Sequence, residues 1–409
     1  MPQLTRSSET LMQKSICVMG LGYIGLPTAS LLATKGFVVH GVDVCPEVVD
    51  KLNRGEIHII EPGLDILVKS AVHSGHFQAS LSPIAADIFI IAVPTPFKEN
   101  HQPDLSYIED ACKAIAPLVH DGNLVILEST SPVGTTEKIK LWIEAQNPQL
   151  THVHYAHCPE RVIPGRVLQE IVENDRIVGG VDAASTQETA HFYRSFVAGK
   201  VITTDARTAE MCKLTENAFR DVNIAFANEL SMICDDLNMN VWELIRLANH
   251  HPRVKILQPG PGVGGHCIAV DPWFIVAQSP KQAKLIKVAR EVNDSKPIWV
   301  MDQVKQALKK LGPKAKISCL GVAFKPDIDD LRESPALEIA KDLTKLHPGR
   351  IVISEPNVKG DIQGLTNAPL EEALQADLIL ILVDHKAFKA LPKEVFSGKT
   401  VIDTRGLLA

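Results

Sequence analysis

Short runs of apolar residues alternate with longer helical stretches through the first 200 residues of the chain. Five of these runs have the length and composition of buried strands: 15–20, 38–42, 87–93, 124–127 and 153–157. Alternation of this kind is typical of strands that are joined by crossover helices. We therefore expect an α/β fold class, with a doubly wound parallel sheet in the first part of the chain.

The pattern changes in the middle of the chain. Residues 208–237 contain neither proline nor glycine and have apolar residues at helical spacing, which predicts one long helix. A second helical stretch, 241–249, leads into the loop 252–271, whose many prolines and glycines exclude regular structure and indicate a functional site. After helices around 282–311 the alternation of strands and helices resumes, which predicts a second α/β domain. Its expected strands are 316–321, 350–354, 378–383 and 400–403.

Composition and charge exclude several classes of function. The 409 residues are 45% hydrophobic, enough for the cores of two or three domains. The net charge is −6, and the 42 basic and 48 acidic residues are scattered, so we expect no nucleic-acid partner. The polar start, 1–14, resembles no signal peptide, and no segment approaches the roughly 18 to 20 apolar residues of a membrane span. We expect a cytoplasmic protein without a membrane partner.

The eight cysteines show no paired spacing and mostly lie in apolar runs, as buried free thiols do in a reducing compartment. Most of them should therefore be inert. They are Cys17, Cys45, Cys112, Cys158, Cys212, Cys234, Cys267 and Cys319.

A GxGxxG motif follows the first apolar run, with glycines at Gly20, Gly22 and Gly25, and the helical stretch 28–35 comes next. Glycines here allow a tight turn and let a pyrophosphate approach the helix N-terminus, which favours anions. Asp43 ends the second run, about 20 residues on, where a carboxylate can bind both ribose hydroxyls of NAD and repel the 2′-phosphate of NADP. The motif predicts NAD binding, although glycine turns can also serve packing alone.

Two segments rich in proline, serine and threonine, 92–96 and 128–132, come directly after apolar runs. At the carboxyl ends of parallel strands they would lie at the edge where open α/β sheets bind ligands. Thr95 and Thr130 are the candidate contacts in these segments. Plain strand-ending turns are the alternative interpretation.

The loop 259–271 sets Cys267 among glycines that expose backbone N–H groups. Such groups lower the pKa of a thiol and can hold an oxyanion, so the setting favours a nucleophilic cysteine. A nicotinamide cofactor strengthens this interpretation, because it can oxidise the thiohemiacetal that a thiolate forms with an aldehyde. A buried structural cysteine is the alternative.

His152 and His154 share one face of a strand and could bind zinc, but without a second ligand cluster in the sequence we expect no metal.

Five segments together resemble the UDP-glucose/UDP-mannuronate dehydrogenase family over essentially the whole chain, from Gly20 to Arg405. Within the family the match is nearest to the N-acetylmannosamine subgroup. The segments are Gly-Leu-Gly-Tyr-Ile-Gly-Leu-Pro (20–27), Ala-Val-Pro-Thr-Pro-Phe (92–97), Thr-Ala-Glu-Met-Cys-Lys-Leu-Thr-Glu-Asn (208–217), the loop 259–271, and Phe-Lys-Pro-Asp-Ile-Asp-Asp-Leu-Arg-Glu-Ser-Pro (324–335).

The resemblance implies two Rossmann-like α/β domains joined by a central helical domain. The first, 1–205, would bind NAD, and the last, 312–409, would bind the UDP-sugar substrate. The central domain, 206–311, would carry the catalytic loop and build a homodimer through its long helix.

The resemblance also assigns the catalytic residues. Cys267 would be the nucleophile, Lys213, Asn217 and Asp271 would surround the reacting oxygen and a water, and Glu160 would lie near that water. Lys213 and Asn217 are four residues apart on the predicted helix, so they can present a cation and an amide on one face. Spacing alone favours an ordinary core helix with a solvated lysine, and the resemblance reverses that preference.

Two sets of binding residues follow from the resemblance. The cofactor set comprises Gly20, Gly22, Tyr23, Ile24, Gly25, Asp43, Thr95, Thr130 and Arg332. The substrate set comprises Arg161, Val162, Lys213, Asn217, Arg220, His251, Arg253, Gly264, Phe324, Lys325 and Arg405.

Two departures from the UDP-glucose subgroup are informative. Pro164-Gly165 replaces an acidic stretch, so the resemblance assigns no further acid there. His266 and Val270 stand where that subgroup typically has serine and lysine, as in the N-acetylmannosamine subgroup, which favours a 2-acetamido sugar. We therefore expect UDP-N-acetyl-D-mannosamine to be oxidised at C6 to the carboxylate in two NAD-dependent steps, for a surface polysaccharide such as enterobacterial common antigen. UDP-glucose, UDP-N-acetylglucosamine, a one-step alcohol dehydrogenase and a non-catalytic nucleotide-sensing dimer are the alternatives.

Overall fold

The computed structural model describes residues 14–98, 101–163, 165–265 and 267–409. These residues divide into two units that meet in the sequence between Thr215 and Glu216. His266, Pro164 and the polar start 1–13, on which three predictions rested, lie outside the described residues.

The first unit is built on an eight-stranded sheet in the order β3-β2-β1-β4-β5-β6-β7-β8. Its strands are β1 Ser15–Met19, β2 Val38–Val42, β3 Phe77–Ser80, β4 Ile88–Ile91, β5 Leu124–Leu127, β6 His154–His157, β7 Arg176–Gly180 and β8 Val201–Asp205. Its helices are α1 Gly25–Thr34, α2 Pro46–Asn53, α3 Leu64–His73, α4 Ser106–Ile115, α5 Thr135–Gln146, α6 Val167–Glu173 and α7 Ala183–Arg194, with a 3-10 turn at Ala116–Leu118.

Helices cover both faces of this sheet, which is why its central strands are uninterrupted apolar runs. In β4, Ile88 and Ile90 join a core cluster with α1 and α7, whereas Phe89 and Ile91 join a second cluster with α4 and α5. The predicted doubly wound α/β architecture is confirmed, and the five predicted strands form within two residues of their expected bounds.

Three strands of this sheet were not predicted, namely β3, β7 and β8. β8 has no buried residue, β3 alternates buried and exposed positions over only four residues, and β7 contains two glycines and an arginine. The described strands pair in parallel with one exception, since β7 runs antiparallel to β6.

The second unit contains most of the long helix α8, Ala206–Asp236, and then α9 Val241–Ala248, α10 Asp271–Gln278 and α11 Lys284–Leu311. A four-stranded parallel sheet follows in the order β10-β9-β11-β12. Its elements are β9 Ile317–Leu320, α12 Pro335–Leu346, β10 Ile351–Ser354, α13 Leu370–Ala373, β11 Leu378–Ile381, α14 Lys386–Lys389, a 3-10 turn at Lys393–Phe396 and β12 Thr400–Asp403.

These elements agree with the helical and strand patterns of the second half. The predicted helices around 282–311 form one helix, α11, which continues through Pro297. The described residues between α9 and α10 form the predicted irregular loop. Among the residues that the structure describes, no helix is both long and apolar enough to cross a membrane.

Candidate active site

The glycine motif forms the turn between β1 and α1. A Cβ atom on Gly20 would lie 2.9 Å from the carbonyl oxygen of Ala92, and one on Gly25 would lie 1.9 Å from that of Gly20. These two glycines are therefore required by close backbone approach. A Cβ atom on Gly22 would meet nothing within 4 Å, so this part of the turn is open to a ligand. The arrangement fits a pyrophosphate at the start of α1.

Asp43 follows β2 and is tied to the glycine turn. One carboxylate oxygen accepts a hydrogen bond from the Leu21 N–H (3.1 Å), and the other accepts one from the Cys45 N–H (3.0 Å). Each oxygen retains a lone pair for a further donor. The carboxylate is therefore held beside the turn in a way that suits the two ribose hydroxyls of NAD.

The carboxyl ends of β4 and β5 are joined by side-chain hydrogen bonds. The Thr95 hydroxyl donates to the carbonyl oxygen of Thr130 (2.6 Å), and the Ser129 hydroxyl donates to that of Val93 (2.7 Å). Ala92 also contacts Gly20, so the structure brings both predicted segments to one edge with the glycine turn.

A buried charged cluster, which the sequence did not predict, lies at the ends of β5 and β6. Arg176 donates to Glu160 at 2.6 Å, and the Tyr193 hydroxyl donates to Glu128 at 2.6 Å. Burial and the neighbouring carboxylate of Glu160 raise the pKa of Glu128 to about 7. Only the positions of Glu128, directly after β5, and Arg176, at the start of β7, could have indicated this cluster.

Glu160, which the resemblance placed near a catalytic water, is therefore buried and paired. One of its oxygens accepts from Arg176, and the other accepts from the backbone N–H of Arg161 at 2.7 Å. The guanidinium of Arg161 donates to the carbonyl oxygen of Asp175. His157 is fully buried, and burial lowers its pKa to about 3, so this ring is neutral.

Lys213 lies half-buried on α8, in the first unit. The same end of α8 is anchored by Glu210, whose carboxylate accepts hydrogen bonds from the Thr136 N–H (2.7 Å) and the Gly134 N–H (2.5 Å) at the start of α5. The charge of Lys213 acts with burial to lower the pKa of His157. Lys213 therefore lies near His157, at the carboxyl end of β6.

In the second unit, Cys267 and Asp271 are one helical turn apart. The carbonyl oxygen of Cys267 accepts from the Asp271 N–H at 2.8 Å, which places the thiol residue one turn before α10. Asp271 is 2% exposed and accepts a hydrogen bond from the Asn217 amide at 2.6 Å. The structure thus brings together three residues that the resemblance assigned to catalysis: half-buried Cys267, Asp271 and Asn217.

The loop before Cys267 is packed against the segment 322–334. The Gly265 N–H donates to the carbonyl oxygen of Glu333 at 3.3 Å, and a Cβ atom on Gly264 would lie 2.3 Å from the same oxygen. A Cβ atom on Gly265 would meet the Phe324 ring at 3.0 Å. Two predicted substrate residues, Gly264 and Phe324, therefore lie side by side.

A chain of buried hydrogen bonds holds the start of this loop, and the sequence analysis did not predict it. The Gly260 N–H donates to Asn228 at 2.8 Å, and Asn228 donates to Asn293 at 2.9 Å. Asn293 in turn donates to Asp221 at 2.8 Å, and Arg290 donates to the same carboxylate at 2.6 Å. This buried chain ties the loop to α8 and α11.

The remaining predicted substrate residues differ in their surroundings. Arg405 donates to Asp384 at 2.8 Å and reaches the carbonyl oxygen of Pro259 at 3.4 Å, so it lies beside the loop. Arg332, a member of the predicted cofactor set, forms an ion pair with Asp330. Val162 is half-buried. The exposed members of the set are Arg220, His251, Arg253 and Lys325.

Comparison with known proteins identifies the family. The chain matches the UDP-glucose/GDP-mannose dehydrogenase family in three places: its NAD binding domain over residues 14–197, its central domain over 207–295 and its UDP binding domain over 318–409. The chain belongs to this family.

Relatives of this dehydrogenase match along nearly their whole length. It is 56% identical to an NDP-N-acetyl-D-galactosaminuronic acid dehydrogenase of Ralstonia nicotianae, over 96% of each chain. It is 54% identical to the UDP-N-acetyl-D-mannosamine dehydrogenase of Escherichia coli, over 96% of this chain and 99% of that one. The structure of a UDP-D-ManNAc dehydrogenase from Pyrococcus horikoshii is similar, with 40% identity, 97% and 96% coverage and a TM-score of 0.88.

Three predictions are thereby confirmed: the family, NAD as the cofactor, and NAD-dependent UDP-sugar dehydrogenase as the enzyme class. The roles of single residues and the boundaries of the three domains remain predictions.

Proposed function

We propose that this dehydrogenase oxidises C6 of UDP-N-acetyl-D-mannosamine to the carboxylate of UDP-N-acetyl-D-mannosaminuronate in two steps, with Cys267 as the nucleophile. The observation that carries the proposal is the turn that joins Cys267, at the end of the glycine loop, to Asp271, whose carboxylate accepts a hydrogen bond from Asn217 of α8. A half-buried thiol one turn before a helix that begins with a buried carboxylate suits attack on an aldehyde and later hydrolysis.

The glycine turn and Asp43 would hold NAD, which would supply the hydride acceptor for both oxidations, with one NAD molecule consumed in each. The Cys267 sulfur adds to the aldehyde carbon that the first oxidation leaves, forming a C–S bond and a thiohemiacetal. The second oxidation converts the thiohemiacetal to a thioester, and water then breaks the C–S bond to release the acid and the thiol.

The other residues stabilise charge and move protons. Lys213 stabilises the negative charge that develops on the reacting oxygen in each step. Asp271 accepts a proton from the attacking water, while Asn217 holds its carboxylate in place at 2.6 Å. Glu160, which the resemblance places near the same water, forms an ion pair with Arg176 at 2.6 Å.

The substrate is assigned by two lines of support. His266 and Val270 replace the serine and lysine of the UDP-glucose subgroup, and several close relatives are named for N-acetylmannosamine. The Ralstonia relative, named for N-acetylgalactosaminuronic acid, makes an N-acetylgalactosamine nucleotide the second candidate. Both names denote 2-acetamido sugars, which argues against UDP-glucose.

We further infer a homodimer that forms along α8. Three large apolar side chains on this helix are spaced seven residues apart and exposed: Phe219 at 68%, Phe226 at 53% and Ile233 at 44%. A seven-residue spacing keeps side chains on one helix face, and a large exposed apolar stripe is typical of an interface.

We also propose that the enzyme works in the cytoplasm and supplies surface polysaccharide synthesis. The buried free thiols of Cys17 and Cys319 support a reducing compartment.

A panel of nucleotide sugars tests the proposal. UDP-N-acetylmannosamine, UDP-N-acetylgalactosamine, UDP-N-acetylglucosamine and UDP-glucose would each be incubated with the enzyme and NAD, and NADH counted against sugar consumed. We expect the highest kcat/KM for the N-acetylmannosamine nucleotide and two NADH per sugar. One NADH per sugar would contradict the two-step reaction, and no turnover of any sugar would favour a nucleotide-sensing role.

A further inference from the structure

The segment 322–334 leaves the carboxyl end of β9 and carries Phe324 and the exposed Lys325. Phe324 packs on Gly264 and Gly265, and both Phe324 and Lys325 belong to the set that would bind the UDP-sugar. An exposed loop binds a ligand well only if its backbone is already held in the binding conformation. The contacts that hold this loop therefore bear on substrate affinity.

One buried histidine makes the main contacts to the start of this loop. His385 is fully buried, directly before α14, and its Nδ1 lies 2.9 Å from the backbone nitrogen of Asp327. A backbone N–H can only donate, so Nδ1 is the acceptor and the ring proton lies on Nε2. That Nε2–H donates to the buried carboxylate of Glu355 at 3.0 Å.

Glu355 extends the same attachment to the first residues of the loop. Its carboxylate also accepts hydrogen bonds from the backbone N–H groups of Val322 (2.9 Å) and Ala323 (3.0 Å). The amide of Asn357 lies 2.9 Å from Nδ1 of His385 and the Asp327 carboxylate lies 4.0 Å from it, so two N–H donors and two carboxylates surround the ring. These hydrogen bonds join the three segments that follow β9, β10 and β11.

Asp327 both donates and accepts a hydrogen bond at the start of α14. While the Asp327 N–H donates to His385, the Asp327 carboxylate accepts a hydrogen bond from the Lys386 N–H at 2.9 Å. Asp327 has a φ of 61°, in the left-handed region that side chains other than glycine rarely adopt. These two bonds hold the backbone of Asp327 in that unusual conformation.

We propose that His385 is a positioning residue for substrate binding, which fixes the turn 322–327 so that Phe324 and Lys325 are preset for the UDP-sugar. The proposal rests on the function proposed above, because it needs the sugar nucleotide to bind this segment. His385 touches no reacting atom, so its contribution falls on the KM for the sugar nucleotide rather than on kcat.

Two substitutions at His385 separate its two bonds. His385→Asn places an amide oxygen near the position of Nδ1 and keeps the acceptor for Asp327. His385→Gln places an amide nitrogen near Nε2, keeps the donor to Glu355 and leaves the Asp327 N–H without its acceptor. We expect His385→Gln to raise the KM for the UDP-sugar and the Kd for UDP about tenfold, while kcat and the KM for NAD change little. His385→Asn keeps the acceptor for Asp327 but loses the donor to Glu355, so it should raise both values by less than His385→Gln does.

A second pair of substitutions, at Lys386, tests the hydrogen bond from its backbone N–H to Asp327 and leaves the His385 ring intact. His385 has φ −58° and ψ 149°, which is compatible with a following proline, and Lys386 is the first residue of α14, where proline is tolerated. Lys386→Pro removes both the backbone N–H that donates to Asp327 and the ammonium that lies 3.8 Å from the same carboxylate, whereas Lys386→Ala removes the ammonium alone. We expect Lys386→Pro to raise the KM for the UDP-sugar about threefold or more, and Lys386→Ala to leave it unchanged.

All variants would be compared by circular dichroism, UDP binding calorimetry and steady-state kinetics with full-length enzyme, with His347→Gln as a control in the same domain. If His385→Gln does not fold, the comparison of Lys386→Pro with Lys386→Ala tests the proposal. A folded His385→Gln or Lys386→Pro with wild-type UDP affinity would overturn the proposal, as would equal losses in His385→Gln and His385→Asn. Failure of the wild-type enzyme itself to bind UDP would instead contradict the proposed function.

Discussion

Replacing Asn228 by alanine should loosen the catalytic loop and destabilise the second unit. The Asn228 side chain is fully buried, accepts from the Gly260 N–H at 2.8 Å and donates to Asn293 at 2.9 Å. Its loss leaves two buried polar groups unpaired, each of which costs about 1 to 3 kcal/mol. Allowing for relaxation, we expect about 2 to 4 kcal/mol of lost stability, or a fall in melting temperature of about 4 to 16 °C for a unit of this size.

Differential scanning fluorimetry and steady-state kinetics would measure the two effects. Gly260 begins the stretch that leads to Cys267, so kcat should fall together with the melting temperature. Asp302→Ala, an exposed change on α11, is the matched control and should alter neither quantity. A variant Asn228→Ala that keeps the melting temperature and kcat of the wild type would refute the reasoning that this contact holds the loop.

Two further substitutions test the first unit. Asp43→Ala removes the carboxylate held by Leu21 and Cys45, and should raise the KM for NAD about tenfold or more with loss of the preference over NADP; an unchanged KM for NAD would exclude Asp43 as the ribose ligand. Glu128 has its pKa raised from 4.5 to about 7, so the folded state keeps this proton up to a higher pH than the unfolded state does. Stability from this group is therefore present below about pH 4.5 and lost as the pH rises to about 7. Glu128→Gln should flatten that part of the curve of melting temperature against pH, and curves that stay parallel would contradict the assignment.

Much of the fold could be predicted because its strands are buried on both faces. β2, β5 and β12 agree with the predicted bounds at both ends, since each is a short apolar or β-branched run between turn residues. α8 lacks proline and glycine and could be recognised over almost its full length. β8 could not, because a strand without a buried residue has no apolar pattern.

The candidate site was predictable where a local motif carries the chemistry. The glycine turn, Asp43 and the turn of Cys267 and Asp271 lie in short segments whose residue types have a direct chemical meaning. The supporting contacts were not predictable, because they join residues far apart in the sequence. Arg176 reaches Glu160, Asn228 reaches Gly260 and His385 reaches Glu355 only once the chain has folded.

The covalent role of Cys267 is the central claim, and intact-protein mass spectrometry of Cys267→Ser tests it most directly. The variant and the wild type would be incubated with NAD and UDP-N-acetylmannosamine, and NADH would be counted in parallel. An alkoxide is harder to form than a thiolate, and an ester hydrolyses more slowly than a thioester, so any turnover of the variant should stall with the sugar bound covalently to the serine. The wild type should release the acid with two NADH per sugar. Near-normal turnover of Cys267→Ser, with two NADH per sugar and no added mass, would contradict the covalent mechanism.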